Sequence, residues 1–132
     1  MHINYLFNVF NEFENNDSII WKGTKYSYKS LIKNIVKFQL LVDSQQIQTG
    51  TVTALIGDFS PNSIALFLAL IEKSCIIVPL TKTSNNNEKL LFDIAQVESV
   101  FRVNDNDVIT TETVSKKTGN DYYKVIRGRK HP

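Results

Sequence analysis

Residues 50 to 80, GTVTALIGDFSPNSIALFLALIEKSCIIVPL, constrain most strongly what this chain can fold into. Val52 to Ile56 reads as a short apolar strand that ends at Gly57-Asp58. Ser60 is placed to cap a helix whose first residue is Pro61, the position where a missing N–H costs nothing. Ile64 to Ile71 is apolar on every face, so this helix is expected to be buried on both sides. Cys75 to Val78 reads as a second apolar strand, closed by Pro79. Two apolar strands joined by a buried crossover helix make a parallel βαβ unit.

The rest of the chain extends that unit in both directions. Ile3, Leu6, Phe7, Phe10 and Phe13 fall at helical spacing and predict an amphipathic helix over 3–14, with the aromatic stripe packed on the core. Ser18 to Trp21 and Lys25 to Tyr28 flank Lys22-Gly23-Thr24, the pattern of a β-hairpin. Ser27 can cap a helix that runs to about Gln46, with Leu31, Ile35, Phe38 and Val42 along one face. Beyond the βαβ unit, Thr81 to Asn87 is a polar loop. Asn87 is a cap for a helix over Glu88 to Gln96, whose stripe is Leu90, Leu91, Ile94 and Ala95. Val100 to Val103 is a third strand. Asn104 to Asp107 is a turn, and Val108 to Thr111 is a further short strand. Residues 112–121 are polar and loop-like, and Tyr122 to Ile126 fits a strand or a helix. The predicted fold is therefore α/β, a parallel βαβαβ core with an N-terminal helix and a β-hairpin. Parallel strands are expected near 52–56, 75–79 and 100–103, with helices near 61–73 and 87–97, and both crossovers should be right-handed.

With 132 residues, the chain suits one domain with a real core. A net charge of +2 is too small to imply nucleic-acid or membrane binding. No apolar run is long enough to cross a bilayer. The first residues, Met1-His2-Ile3-Asn4-Tyr5, have neither the basic start nor the apolar core of a signal peptide. Asn16-Asp17-Ser18 fits a glycosylation sequon and, without a secretion signal, reads as a coincidental loop. The single cysteine, Cys75, lies in an apolar strand and reads as a buried, inert thiol rather than a nucleophile.

Local chemistry is sparse. The sequence contains no GxGxxG and no GxxxxGK[ST], so the common phosphate cradles are missing. Free N–H groups at Ser60 to Asn62 could hold an anion, but Asp58 beside them would repel one, and an ordinary capped turn is the simpler reading. His2 and His131 both lie near the termini, so they form no zinc site with Cys75 by local spacing and no Ser-His-Asp triad. Asn104 to Asp107 lacks the glycine and distal glutamate of a calcium loop. No catalytic, cofactor-binding or metal-ligating residue is assigned. Arg127-Gly128-Arg129-Lys130-His131-Pro132 is a basic segment that could touch phosphates, with a solvated end as the simpler reading.

Three segments, in order, resemble the N-terminal subdomain of the adenylate-forming (AMP-binding) ligases, the superfamily of acyl-CoA synthetases, adenylation domains and firefly luciferase. Lys25 to Leu31 resembles the family's threonine-tyrosine-x-glutamate-leucine helix start. Ile47 to Leu55 resembles its glycine-isoleucine-x-x-glycine-aspartate-x-valine lead into a strand. Asn62-Ser63, Leu66 to Leu70 and Ile77-Val78-Pro79-Leu80 resemble its asparagine-serine, alanine, valine-proline-leucine helix and strand. The likeness covers roughly residues 18–103. Ser74 and Cys75 stand where the family has a Gly-Ala pair, and Thr51 stands where it often has aspartate.

The resemblance implies that residues 1–132 are an N-terminal subdomain fragment of a longer ligase. The phosphate loop, the ATP contacts and the lysine of the C-terminal lid would lie beyond Pro132. Arg127 to Pro132 resembles the basic segment that precedes that loop. The parent would use ATP and Mg²⁺ to form an acyl-adenylate, then pass the acyl group to a thiol, usually coenzyme A (CoA). This chain would scaffold the rear of the site and lack activity alone. Its partner would be the remainder of the ligase, and an uncovered sheet edge or apolar helix face would favour self-association. The implied location is cytoplasmic. Two other readings stand beside this one: a free-standing α/β interaction module without catalysis, and a small ligand-binding domain using the loops at the strand C-termini.

Overall fold

The computed structural model describes residues 3–81 and 88–113. The first element is helix α1, Asn4–Glu12. Its inner side rests Leu6, Phe7 and Phe10 on the core, and the Phe10 ring stacks on Tyr28 with centroids 5.1 Å apart. The Ile3 N–H donates to the Glu72 carboxylate at 3.1 Å, which ties the start of α1 to the far end of the central helix.

Strands β1, Asp17–Trp21, and β2, Thr24–Ser27, form the expected antiparallel hairpin. Both turn residues are left-handed, Lys22 at φ 50° and Gly23 at φ 79°. That is the geometry in which a two-residue turn matches strand twist. Tyr28 does not extend β2 but opens helix α2, Tyr28–Ser44, because Ser27 caps it and accepts from the Ser30 N–H at 3.2 Å. The buried residues of α2 are Leu31, Ile35, Phe38 and Val42, the stripe read from the sequence.

The main sheet follows: β3, Val52–Ile56, then helix α3, Pro61–Glu72, then β4, Ile76–Leu80. Helix α4, Glu88–Ala95, leads to β5, Ser99–Val103, and β6, Ile109–Thr113. The strand order is β4-β3-β5-β6. β3 pairs in parallel with both β4 and β5, and β6 pairs antiparallel with β5. The parallel βαβαβ core is thus present. The final strand runs two residues further than expected, taking in Glu112 and Thr113 from the stretch read as loop.

β3 is buried at every residue because it lies between two strands and beneath helices on both faces. On one face Leu55, Phe101 and Val103 join Leu31, Ile35, Leu66 and Leu70 of α2 and α3. On the other, Val52, Ala54, Ile56 and Val100 meet Phe92 and Ala95 of α4. Thr53 Oγ1 is buried with no hydrogen-bond partner of normal geometry among the described residues.

Two further sequence expectations need correction. Pro79 does not close β4, which continues through it to Leu80. The Ile76 N–H donates to Thr51 O at 2.9 Å and the Gly57 N–H donates to Leu80 O at 3.1 Å, so residues 76, 78 and 80 face β3. Pro79 therefore turns its missing N–H to the open side of an edge strand, where proline is tolerated. Second, α3 is not buried on both sides. Ala65, Leu66, Ala69 and Leu70 are buried, while Ile64, Phe67, Leu68 and Ile71 are only half-buried at the margin of the core. The expected Asn87 cap, the bulk of the Thr81–Asn87 loop, the Tyr122–Ile126 segment, His2 and the basic end with His131 lie outside the described residues.

Candidate functional site

Open α/β sheets bind ligands at the C-terminal ends of their parallel strands. Here that place is built by the β3–α3 loop and the β5–β6 turn. Gly57 ends β3 at φ 145°, and a Cβ there would sit 2.7 Å from Val103 O. Only glycine allows the ends of β3 and β5 to come so close.

The N-terminus of α3 opens beside this contact. Ser60 Oγ accepts from the Ser63 N–H at 3.3 Å, the cap expected from the sequence. The hydroxyl of Ser60 also donates to Asp107 Oδ1. The Asn62 N–H donates to Asp107 Oδ2 at 3.1 Å, and the Asn62 amide donates to the Asp107 carbonyl at 2.8 Å. The helix N-terminus therefore already holds an anion, the carboxylate of Asp107. The turn 104–108 presents it: Asn104 Oδ1 accepts from the N–H groups of Asn106 and Val108 at 2.8 and 3.0 Å. Asp107 itself sits at φ 61°, a conformation Asp tolerates better than most residues.

Asp58 is exposed in the loop, as expected, and its carbonyl accepts from Ser63 Oγ at 2.7 Å. Phe59 is exposed and overhangs a groove of about 100 Å³ that also touches Leu55, Phe67 and Leu80. This apolar groove is smaller than ordinary small-molecule pockets. A larger groove of about 330 Å³ lies between the C-terminal parts of α2 and α3. Its charges are engaged in the fold: Lys73 pairs with Asp43 at 3.1 Å, and Glu72 holds the Ile3 N–H.

Cys75 falls just before β4, buried, with its thiol pushed up to about 11 by burial. It is a poor nucleophile, as read from the sequence. Among the described residues, no three His, Cys, Asp or Glu side chains group as a metal site. One cluster was not read from the sequence. Arg102 on β5 donates to both Glu88 carboxylate oxygens and, at 2.8 Å, to Glu112 on β6. Arg102's hydrogen bond holds the Glu88 carboxyl below the usual glutamate range, and Glu88 and Glu112 push the guanidinium up. The three residues lie 10 and 14 positions apart, so only a hint was available: a lone arginine in an apolar strand.

These features define a mixed α/β domain in which the N-terminus of α3 is occupied by the chain's own β5–β6 turn. No protein-family model matches the sequence, and a search of the curated proteins finds no match. Solved structures do match in fold. The Klebsiella oxytoca NpsA N-terminal subdomain, in complex with 3-hydroxyanthranilyl-AMSN, has a TM-score of 0.66 at 17% identity, covering 75% of this chain and 27% of that one. CmiS6 has a TM-score of 0.68 at 15% identity, covering 83% of this chain and 32% of its own. NpsA-ThdA, an artificially fused adenylation-PCP di-domain from Klebsiella oxytoca, has a TM-score of 0.66 at 15% identity, covering 92% and 23%. The chain thus spans between a quarter and a third of the N-terminal subdomain structures it matches. Its fold is that of part of an adenylation-domain N-terminal subdomain.

Proposed function

We propose that this chain is an N-terminal portion of an adenylate-forming ligase and scaffolds the rear of its site. The observation that carries the reading is the fold likeness to the NpsA N-terminal subdomain over three-quarters of the chain. It coincides with the three sequence segments that resemble the same superfamily. The parent enzyme would activate a carboxylate with ATP and Mg²⁺ and transfer the acyl group to a thiol. Coenzyme A is the acceptor that the sequence resemblance implies. A carrier-bound thiol is the alternative raised by the NpsA-ThdA fusion. The reading places the parent in the cytoplasm and makes the remainder of the ligase the principal partner of this segment.

The scaffold reading assigns no ATP contact to the described residues. They offer no glycine-rich phosphate loop, and the helix N-terminus at the parallel strand ends is filled by Asp107. Their contribution to the parent would be structural: a rigid sheet, with Gly57 and Asp107 fixing the strand ends. The test is the complete reading frame that contains residues 1–132, assayed for acid-dependent exchange of pyrophosphate into ATP. Exchange with at least one carboxylic acid is expected. A protein that ends at Pro132, or a longer one inactive across a broad acid panel, overturns the reading and leaves the interaction-module alternative. Thioester assays with coenzyme A and with a carrier protein then separate the acceptors. Titration of the 132-residue segment with ATP in a calorimeter should give no saturable heat. One-to-one micromolar binding would contradict the scaffold role.

A further inference from the structure

The outward side of α2 carries a pattern that core packing does not account for. Lys29, Lys33 and Lys37 repeat every fourth residue, and all three are exposed. Val36 and Leu40 lie among them, 46% and 67% exposed. At 3.6 residues per turn the five side chains fall within an arc of about 100°. The buried stripe of Leu31, Ile35, Phe38 and Val42 occupies the opposite side. No acid precedes Asp43 in this helix, and none of the three lysines forms an ion pair with another described residue.

Helix electrostatics do not favour this arrangement. Like charges four residues apart repel. Lys29 sits in the first turn, at the positive end of the helix dipole, and Asp43 sits in the last, at the negative end. Asp43 is offset by Lys73 at 3.1 Å, and the Lys37 ammonium lies 5.5 Å from the Phe38 ring centroid. No described carboxylate pairs with Lys29, Lys33 or Lys37, however, and unbalanced surface charge of this kind is open to a partner outside the molecule.

We propose that this face of α2 docks an acidic amphipathic helix of a partner protein. The partner's carboxylates would lie along Lys29, Lys33 and Lys37, and small apolar side chains would pack on Val36 and Leu40. Charge complementarity selects the occupant: three cations over about 12 Å of helix match acids at the same repeat on a facing helix. A membrane surface fits less well, because the stripe has no aromatic residue and the large apolar face of α2 is turned to the core. The inference is independent of the ligase reading.

The probe is a fluorescent helical peptide with glutamate at every fourth position and two alanines on the same face. Its control has glutamine for every glutamate. Anisotropy and amide chemical shifts of the labelled chain are followed during titration. The acidic peptide should bind, shift residues of α2 between 29 and 40, and weaken as salt is raised. Replacing all three lysines with glutamine should weaken binding about tenfold or more, and Leu40→Gln several-fold. Both are surface changes, and unchanged thermal melts would show that the fold is retained. Three results overturn the proposal. One is equal binding by the triple variant. Another is lysine-dependent capture by phosphatidylglycerol vesicles with no response to the peptide. The last is a longer natural chain in which the same face is covered by its own later residues.

Discussion

Asp107 shows how one residue changes what a helix end can do. A capped N-terminus of an apolar helix at the strand C-termini would ordinarily be open to a bound anion. Here the carboxylate of Asp107 accepts from the Asn62 N–H and the Ser60 hydroxyl. The interaction is worth about 0.5–2 kcal/mol by the usual scale of such contacts. Asp107→Asn keeps tolerance of the left-handed backbone and removes the charge. It should lower stability by about 1 kcal/mol in urea denaturation. An unchanged midpoint would mean that the carboxylate contributes nothing beyond the Ser60 cap. The sequence offered the cap itself, since Ser60 stands directly before Pro61. It could not offer Asp107, because a residue 45 positions from Asn62 meets it only after β5 and its turn are in place.

At the scale of elements, periodicity located the helices and strands but not how fully each face is covered. An all-apolar helix reads as buried on both sides, yet α3 has one buried and one half-buried flank. Leu66 has no exposure and Leu68 is only half-buried. Leu66→Asp should therefore abolish the cooperative melt, since an unpaired buried carboxylate costs several kcal/mol. Leu68→Asp should leave a folded protein with a lower melting temperature. Circular dichroism of the two variants checks the difference, and equal unfolding would show the outer flank to be covered. Strand β4 teaches the same lesson at Pro79. The residue type suggested a terminus, but only the pairing partner reveals that its N–H side faces outward.

Helix α4 has a different anchor. It has no fully buried residue, and its first residue is held by Arg102. Because Glu88 titrates lower in the folded protein than in the unfolded chain, its stabilisation is complete above the ordinary glutamate range. It is lost as pH falls through the lowered folded value. Arg102 stays charged throughout. Hydrogen exchange should therefore show the amides of α4 losing protection in acid before those of α3. Glu88→Gln should shift the α4 amides toward weak protection at neutral pH and flatten that acid dependence. Strong, pH-independent protection in the variant would assign the anchoring to Phe92 and Ala95 instead.

For the whole molecule, α4 and the edge strand β4 leave apolar surface uncovered by any described residue. Leu90 and Ile94 project from α4 at 59% and 67% exposure, and β4 leaves one edge unpaired among the described residues. Such surfaces promote association when nothing covers them. Light scattering should show concentration-dependent dimers of the 132-residue chain, and Leu90→Lys with Ile94→Lys should disperse them if α4 is the contact. A monomer at high concentration would indicate that these faces are innocuous. The parallel core was legible in the sequence because its strands are mainly apolar and Ser60-Pro61 marks the start of α3. The order of the strands was not, since apolar composition says nothing about which strand lies in the middle.

That order sets a timetable for synthesis. The first strand of the parallel core to leave the ribosome is the central one, and Thr53 waits for both of its neighbours, Ile77 and then Ser99. At ordinary elongation rates the wait for Ser99 lasts on the order of seconds. In that interval the hairpin and α2 can form from local contacts alone. β3 cannot: it has one unsatisfied edge until Ser99–Val103 emerges, and Gly57 has no Val103 to rest against. A nascent chain halted before β5 should therefore offer the second edge of β3 to chaperones, and one long enough to release Ser99–Val103 should close that edge.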